Sequence, residues 1–124
     1  MTIMEAISTI DSLKPNGFQM EEKVKWLSEI DGIIKKNIVD KHEGGENINY
    51  SGYDMNTNLS ETKLIAEAPY DVLYVHWLES KIDYYNGEYR RYNNSSVAFN
   101  EAYNAYARFY NRTNMPIQAG KFKY

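Results

Sequence analysis

Residues 70–92 read Tyr70-Asp71-Val72-Leu73-Tyr74-Val75-His76-Trp77-Leu78-Glu79-Ser80-Lys81-Ile82-Asp83-Tyr84-Tyr85-Asn86-Gly87-Glu88-Tyr89-Arg90-Arg91-Tyr92. Tyr74, Leu78, Ile82, Tyr85, Tyr89 and Tyr92 recur at intervals of three and four residues, the period of one helical face. Held for about five turns, that phase predicts a helix running through Gly87. Gly87 opposes this by about 1 kcal/mol relative to alanine. The helix opens at Ala68-Pro69-Tyr70-Asp71, where a proline in the first turn needs no amide partner and Asp71 meets the positive end of the dipole. The chain is expected to break and re-cap at Asn93, Asn94 or Ser95, and a fourth helix then continues to Asn114, stopped by Pro116. In that helix Phe99, Tyr103, Tyr106 and Tyr110 form one face, with Ala98, Ala102 and Ala105 as a small-residue stripe beside it. Two different packing surfaces are therefore expected, and the short turn makes the two long helices antiparallel neighbours.

Upstream, Thr2 and Glu5 have capping-box spacing, and Ile3, Ala6, Ile7 and Ile10 give a short amphipathic helix ending near Leu13, ahead of Pro15-Asn16-Gly17. A second helix is predicted over Gln19–Val39. Glu21 and Glu22 suit its first turn, Lys35 and Lys36 its last, and Leu27, Ile30, Ile34 and Ile38 form the buried stripe. From Asp40 to Ser60 the periodicity disappears and Gly, Asn and Asp dominate, a loop of about 20 residues of the kind that is usually functional or disordered. Thr62–Ala66 reads as a short extended segment. The fold class is all-α: about four helices in one domain over residues 1–116, with an irregular insert at 40–66 and an extended tail at 117–124. Leu27, Ile30, Ile34, Leu78, Ile82 and Phe99 are expected in the core.

A chain of 124 residues is one domain, large enough to bury a real core. It has no cysteine, which removes disulfides, zinc-cysteine sites and thiol catalysis. The net charge is −3 with Lys and Arg scattered, so no basic field for duplex nucleic acid is evident. The first residues carry Glu5 and no cation, and no apolar run approaches the ~20 residues of a membrane span, so a cytosolic protein is expected. His42 and His76 lack the spacing of a metal site, and Asp71, Glu79, Asp83 and Glu88 read as a solvated helix face. With no phosphate loop and no nucleophile elbow either, the sequence points away from an enzyme, and no cofactor or metal is expected.

What stands out is tyrosine. Ten of the twelve lie between Tyr70 and Tyr124, among asparagines and arginines, and such rings suit surfaces that are wet in a free subunit and covered in an assembly. The candidate interface residues are Tyr89, Arg90, Arg91 and Tyr92 at the turn between the long helices, Tyr50 and Tyr53 in the insert, and Phe122 and Tyr124 in the tail. Insert and tail are expected to be mobile in an isolated subunit and ordered against neighbours. The alternation of Lys121, Phe122, Lys123 and Tyr124 suits a strand added to another chain's sheet, or a frayed end.

The runs Ala68-Pro69-Tyr70-Asp71, Trp77-Leu78-Glu79, Ile82-Asp83-Tyr84, Asn86-Gly87-Glu88, Arg91-Tyr92-Asn93-Asn94-Ser95, Phe99-Asn100 and Tyr110-Asn111-Arg112-Thr113 resemble small head-tail connector or adaptor proteins of tailed bacteriophages and prophages of Gram-positive bacteria. The resemblance extends upstream through Asp11-Ser12-Leu13-Lys14-Pro15, Lys25-Trp26-Leu27-Ser28-Glu29 and His42-Glu43-Gly44, and so spans nearly the whole chain. It implies a virion protein located at the neck, assembled in the host cytoplasm. There neighbouring copies form a ring, commonly a dodecamer, between the portal protein and a downstream neck or tail protein, and DNA passes through the channel without specific binding. Such a ring needs two different complementary faces on each subunit, for which the aromatic and alanine stripes are a candidate pair. Two alternatives stand beside this reading. One is a single-stranded nucleic-acid-binding protein that stacks bases on tyrosines and holds the backbone with Arg90, Arg91, Arg108 and Arg112; the other is a minor structural or tail-completion protein of the same phage.

Overall fold

The computed structural model describes residues 1–117. Four α-helices account for most of them: α1 (Ile3–Leu13), α2 (Met20–Asn37), α3 (Val72–Tyr85) and α4 (Tyr89–Thr113). Among the described residues there is no strand, only the isolated antiparallel bridges Thr2 to Lys63 and His42 to Pro116. Thr62–Ala66 contributes one of these bridges and is otherwise irregular.

The helix ends follow from their sequences. In α1 the Thr2 hydroxyl accepts from the Glu5 amide at 3.1 Å, and the Glu5 carboxylate accepts from the Thr2 amide at 2.7 Å, so two orphan donors are satisfied reciprocally. Those bonds to Thr2 hold the Glu5 carboxyl below its ordinary pKa. Helix α2 carries Glu21 and Glu22 in its first turn and Lys35 and Lys36 in its last, each favourable to the dipole. Helix α3 starts at Val72, later than expected. Pro69 lies in a turn closed by the Tyr70 amide donating to the Glu67 carbonyl at 2.9 Å, and so precedes the helix.

The larger correction is at Gly87. The predicted helix through this residue is two helices, and the break falls at Asn86-Gly87-Glu88 instead of at Asn93, Asn94 or Ser95. Gly87 has φ +74°, open to glycine and strained for other residues. Its amide donates to the Tyr84 carbonyl at 3.0 Å, and the next amide, of Glu88, donates to the Asp83 carbonyl at 2.9 Å. This paired pattern is a Schellman cap, which ends a helix and satisfies its last carbonyls. Ser95 sits inside α4 because its hydroxyl has partners there: it donates to the Asp83 carboxylate at 2.9 Å and lies 3.0 Å from the Arg91 carbonyl.

Helix α3 is the hub of the bundle. It forms an antiparallel hairpin with α4, the most extensive helix pairing, and also packs against α1 and α2. Ile3, Ile7, Ile10, Leu27, Ile30, Ile34, Leu73, Tyr74, Leu78 and Ile82 are fully buried in one core. Phe99, expected among them, is only half-buried and packs on the core's edge. The aromatic face of α4 turns inward: Tyr106 and Tyr110 are buried, and Ala102 packs on the same core. The aromatic stripe is therefore largely engaged within the chain, as is Ala102 of the alanine stripe, while Ala98 and Ala105 remain half-exposed.

Nor is the insert loose. Two short 3-10 turns, Val39–Lys41 and Gly45–Asn47, follow α2, and the buried His42 ring places Nδ1 2.6 Å from the Ile38 carbonyl and Nε2 2.6 Å from the Asn111 side chain of α4. Residues 115–117 run beside 41–43, with the Glu43 amide donating to the Met115 carbonyl and the Ile117 amide to the Lys41 carbonyl.

Replacing Gly87 by alanine is expected to destabilise the protein by about 1 to 2 kcal/mol, the toll of a side chain in left-handed backbone. Gly17→Ala, at a position with open space and no positive φ, is expected to be neutral or slightly stabilising. Urea denaturation midpoints of the two variants check this, and equal stabilities would refute the cap.

Candidate interaction surface

Because the Schellman cap stops α3 at Tyr85, the α3–α4 hairpin ends in a cluster of rings. Tyr84 contacts Tyr85, Tyr89 and Tyr92, with ring centroids 5.2, 6.2 and 5.3 Å apart. Tyr85 in turn stacks on Trp26 of α2 at 5.7 Å with the planes 4° apart, and Phe18 meets Trp26 edge-on at 5.4 Å. Trp26 is buried, but Tyr84, Tyr85 and Tyr89 are 49%, 57% and 64% exposed. Singly exposed rings are ordinary on a protein surface; a contiguous group is the feature that marks contact sites.

Beside these rings lies a hollow of about 440 Å³, lined by Trp77, Lys81, Tyr84, Tyr85, Tyr92 and Phe99, among others. The Lys81 ammonium sits 4.6 Å from the centre of the Trp77 ring and 3.9 Å from the Glu29 carboxylate. The Trp77 indole donates to the Trp26 carbonyl at 2.7 Å, which locks α3 to α2 directly behind the tip.

Of the residues singled out in the sequence, Tyr89, Arg90, Arg91 and Tyr92 are brought together here, in the first turn of α4. Arg90 is exposed, and Arg91 pairs with Glu88 at 3.1 Å. Tyr84, Tyr85, Phe18 and Trp26 join this surface without having stood out in the sequence as contact residues. The Asn86-Gly87 pair was the available signal, since a glycine C-cap there leaves Tyr84 and Tyr85 at a helix end. Phe122 and Tyr124 lie outside the described residues, and so does the strand-like alternation from Lys121.

Tyr50 and Tyr53 form a separate cluster on α2 and do not join the tip. The Tyr50 hydroxyl donates to the Ser28 carbonyl, the Tyr53 amide donates to Ser28 Oγ at 3.0 Å, and the Tyr53 hydroxyl donates to Asp31 Oδ2 at 2.5 Å. Asp31 is fully buried. Its Oδ1 accepts from the Tyr74 hydroxyl at 2.5 Å, its Oδ2 also accepts from the Ile65 amide at 3.1 Å, and Tyr74 is held by the Ala66 amide at 2.7 Å. Burial raises the Asp31 pKa, with the donated bonds from Tyr53, Tyr74 and Ile65 acting against it. The insert, which has no apolar periodicity, is thus held against its own domain by polar anchors.

Of the carboxylates expected on a solvated helix face, Asp83 is instead buried. Asp83 lies between Lys14, at the C-terminal cap of α1, and Ser95 of α4, tying three helices together. No group of three or more His, Cys, Asp or Glu among the described residues is placed to hold a metal ion, and no helix among them is long and apolar enough to cross a membrane. Arg108 and Arg112 lie along α4 about 25 Å or more from Arg90 and Arg91, so the four arginines do not make one patch around the rings. Comparison of the chain with protein families, with curated proteins and with solved structures gave no match.

Exchanging Asp31 for asparagine keeps the shape but turns an amide donor toward existing donors. The expected loss is about 1 to 3 kcal/mol of stability, read by chemical denaturation, and an unchanged midpoint would show that the carboxylate is dispensable.

Burial also lifts the pKa values of Tyr53, Tyr74 and Tyr106 well above the ordinary tyrosine value of 10.0. A folded pKa above the unfolded one makes a contribution that is full below pH ~10 and is lost as pH climbs toward the folded values. These hydroxyls are therefore expected to ionise together with alkaline unfolding, and tyrosinate absorbance followed alongside circular dichroism tests it. Their ionisation in advance of the loss of helicity would contradict the buried network.

Proposed function

We propose that this chain is a virion structural protein of a tailed bacteriophage, a head-tail connector subunit that joins the portal of the DNA-filled head to the tail. The observation that supports this most is the cluster of exposed rings Tyr84, Tyr85 and Tyr89, joined by the half-buried Tyr92, held on a short-turned hairpin and backed by Trp26. It is an apolar, aromatic surface with hydroxyls at its edge, the composition favoured at the centre of protein interfaces. The resemblance to phage connector proteins, which spans nearly the whole sequence, supplies the setting.

On this proposal the subunit sits at the virion neck, having been assembled in the host cytoplasm. It contacts neighbouring copies in a closed ring, the portal protein on one side and a downstream neck or tail protein on the other. Ring closure by head-to-tail contacts requires two unlike surfaces per subunit. The hairpin tip is assigned as one of them. Arg108 and Arg112, far along α4 from the rings, weigh against the alternative of a single-stranded nucleic-acid binder, which needs its cations to track the strand along the stacking rings.

The test is complementation of a phage lacking this gene. Tyr84→Ala, Tyr85→Ala and Tyr89→Ala, singly and together, are expected to keep the helical content of the purified subunit while DNA-filled heads without tails accumulate. Each truncation at an interface centre is worth about 2 kcal/mol or more, repeated at every contact of a ring. Normal yields of infectious particles from the triple variant would defeat the assignment of this surface.

A further inference from the structure

Residues 49–57 cross the outside of α2 in an unusual way. Among the described residues their one backbone–backbone hydrogen bond is local, from the Thr57 amide to the Asp54 carbonyl at 3.0 Å. The flanks are pinned: the Ile48 amide donates to the Gly45 carbonyl at 3.0 Å, and the Leu59 carbonyl accepts from the Met4 amide of α1 at 2.9 Å. What holds the middle is a clip of two tyrosines, set edge-to-face with centroids 5.2 Å apart. Tyr50 is fastened on Ser28, and Tyr53 on Ser28 and Asp31. Gly52, at φ +93°, makes the turn that brings the Tyr53 amide onto Ser28 Oγ. Beyond the clip the segment stands off the helix, leaving a hollow of about 300 Å³ between Glu21, Val24 and Lys25 below and Tyr53, Asp54 and Met55 above.

Equally informative is what stays behind if the clip lets go. Asp31 keeps its bonds from Tyr74 and Ile65, both made by residues outside the segment, so the buried carboxylate is not abandoned. The Tyr74 hydroxyl likewise keeps the Ala66 amide. Of residues 49–57 only Tyr53 packs against the hydrophobic core, at its edge. A segment with few apolar contacts and no ladder to its neighbour, fastened at one place, belongs to the low end of local stability, while the helices belong to the high end.

From this we infer a conformational device: residues 49–57 form a strap that opens and recloses as one unit on a bundle that remains folded, with Tyr50 and Tyr53 as the clasp and Ser28 and Asp31 as its seat. Opening bares the Ser28 hydroxyl and carbonyl and one Asp31 oxygen on the face of α2.

Hydrogen–deuterium exchange on the intact chain, read by mass spectrometry, tests it. In the unmodified protein, peptides covering 49–57 are expected to exchange about 100-fold or more faster than peptides from the centres of α2 and α3, which follow global unfolding. Tyr53→Phe removes the hydroxyl that reaches Asp31 and keeps the ring. It is expected to speed exchange in 49–57 by about tenfold while leaving the rates in α2 and α3 unchanged. Tyr50→Phe, which loosens the same clasp without touching the buried carboxylate, serves as the second variant should Tyr53→Phe impair folding. Two results overturn the inference. One is exchange of 49–57 at the rate of the helix centres; the other is acceleration of strap and helices by the same factor, which would make the clasp part of the global fold.

Discussion

A carboxylate without access to water has to find donors, and Asp31 finds them in three separate parts of the chain. Tyr53 reaches it from the insert, the Ile65 amide from the segment leading to α3, and Tyr74 from α3 itself. An apolar residue in its place could contact all three segments, yet contact alone tolerates sliding. Hydrogen bonds of about 2.5 to 3.1 Å do not, because they weaken steeply with distance and angle. The path of an insert with no helical or strand periodicity is fixed in this way, and so is the depth at which Tyr74 enters the core.

A second polar node performs the same task elsewhere. Asp83 on α3 takes Lys14 from the end of α1 and Ser95 from α4, setting the mutual register of three helices beside the hairpin turn. Between the two nodes the core is aliphatic, from Ile3 and Ile7 through Leu27, Ile30 and Ile34 to Leu78 and Ile82. Burial of that area supplies the driving force for collapse. The nodes select one arrangement among those that bury similar area, since a shifted packing would strand a charge away from water.

The parts of this architecture that could be read from the sequence are those governed by local chemistry. Capping at Thr2 and Glu5, the dipole charges of α2 and the aliphatic stripes are short-range patterns, and all appear as read. Gly87 was misread because rings recur at three- and four-residue spacing on both sides of it, although the buried face of α3 stops at Ile82 and Tyr85 and Tyr89 are exposed. Ser95 looked like a cap because its partner Asp83 is twelve residues away, beyond any local rule. Tyr50 and Tyr53 were recognised as residues with work to do, but their partners Ser28 and Asp31 are more than twenty residues distant, so their inward orientation was not legible. The tip combines both cases. Tyr89 and Tyr92 could be found from composition, whereas Tyr84 and Tyr85 join them only once the chain turns at Gly87.

The stacking of Tyr85 on Trp26, with Trp26 gripped in turn by Phe18 and by the Trp77 indole, bears on the entropy of the exposed rings. A tyrosine has few rotatable bonds to begin with, and here a ring already lies flat against a buried neighbour. Covering such a side chain expels water while freezing little motion, whereas an equal area of lysine or glutamate gives up about 1.5 to 2 kcal/mol of rotamer freedom per side chain. The hairpin end is in this sense preorganised, its torsional freedom surrendered during folding and not at contact.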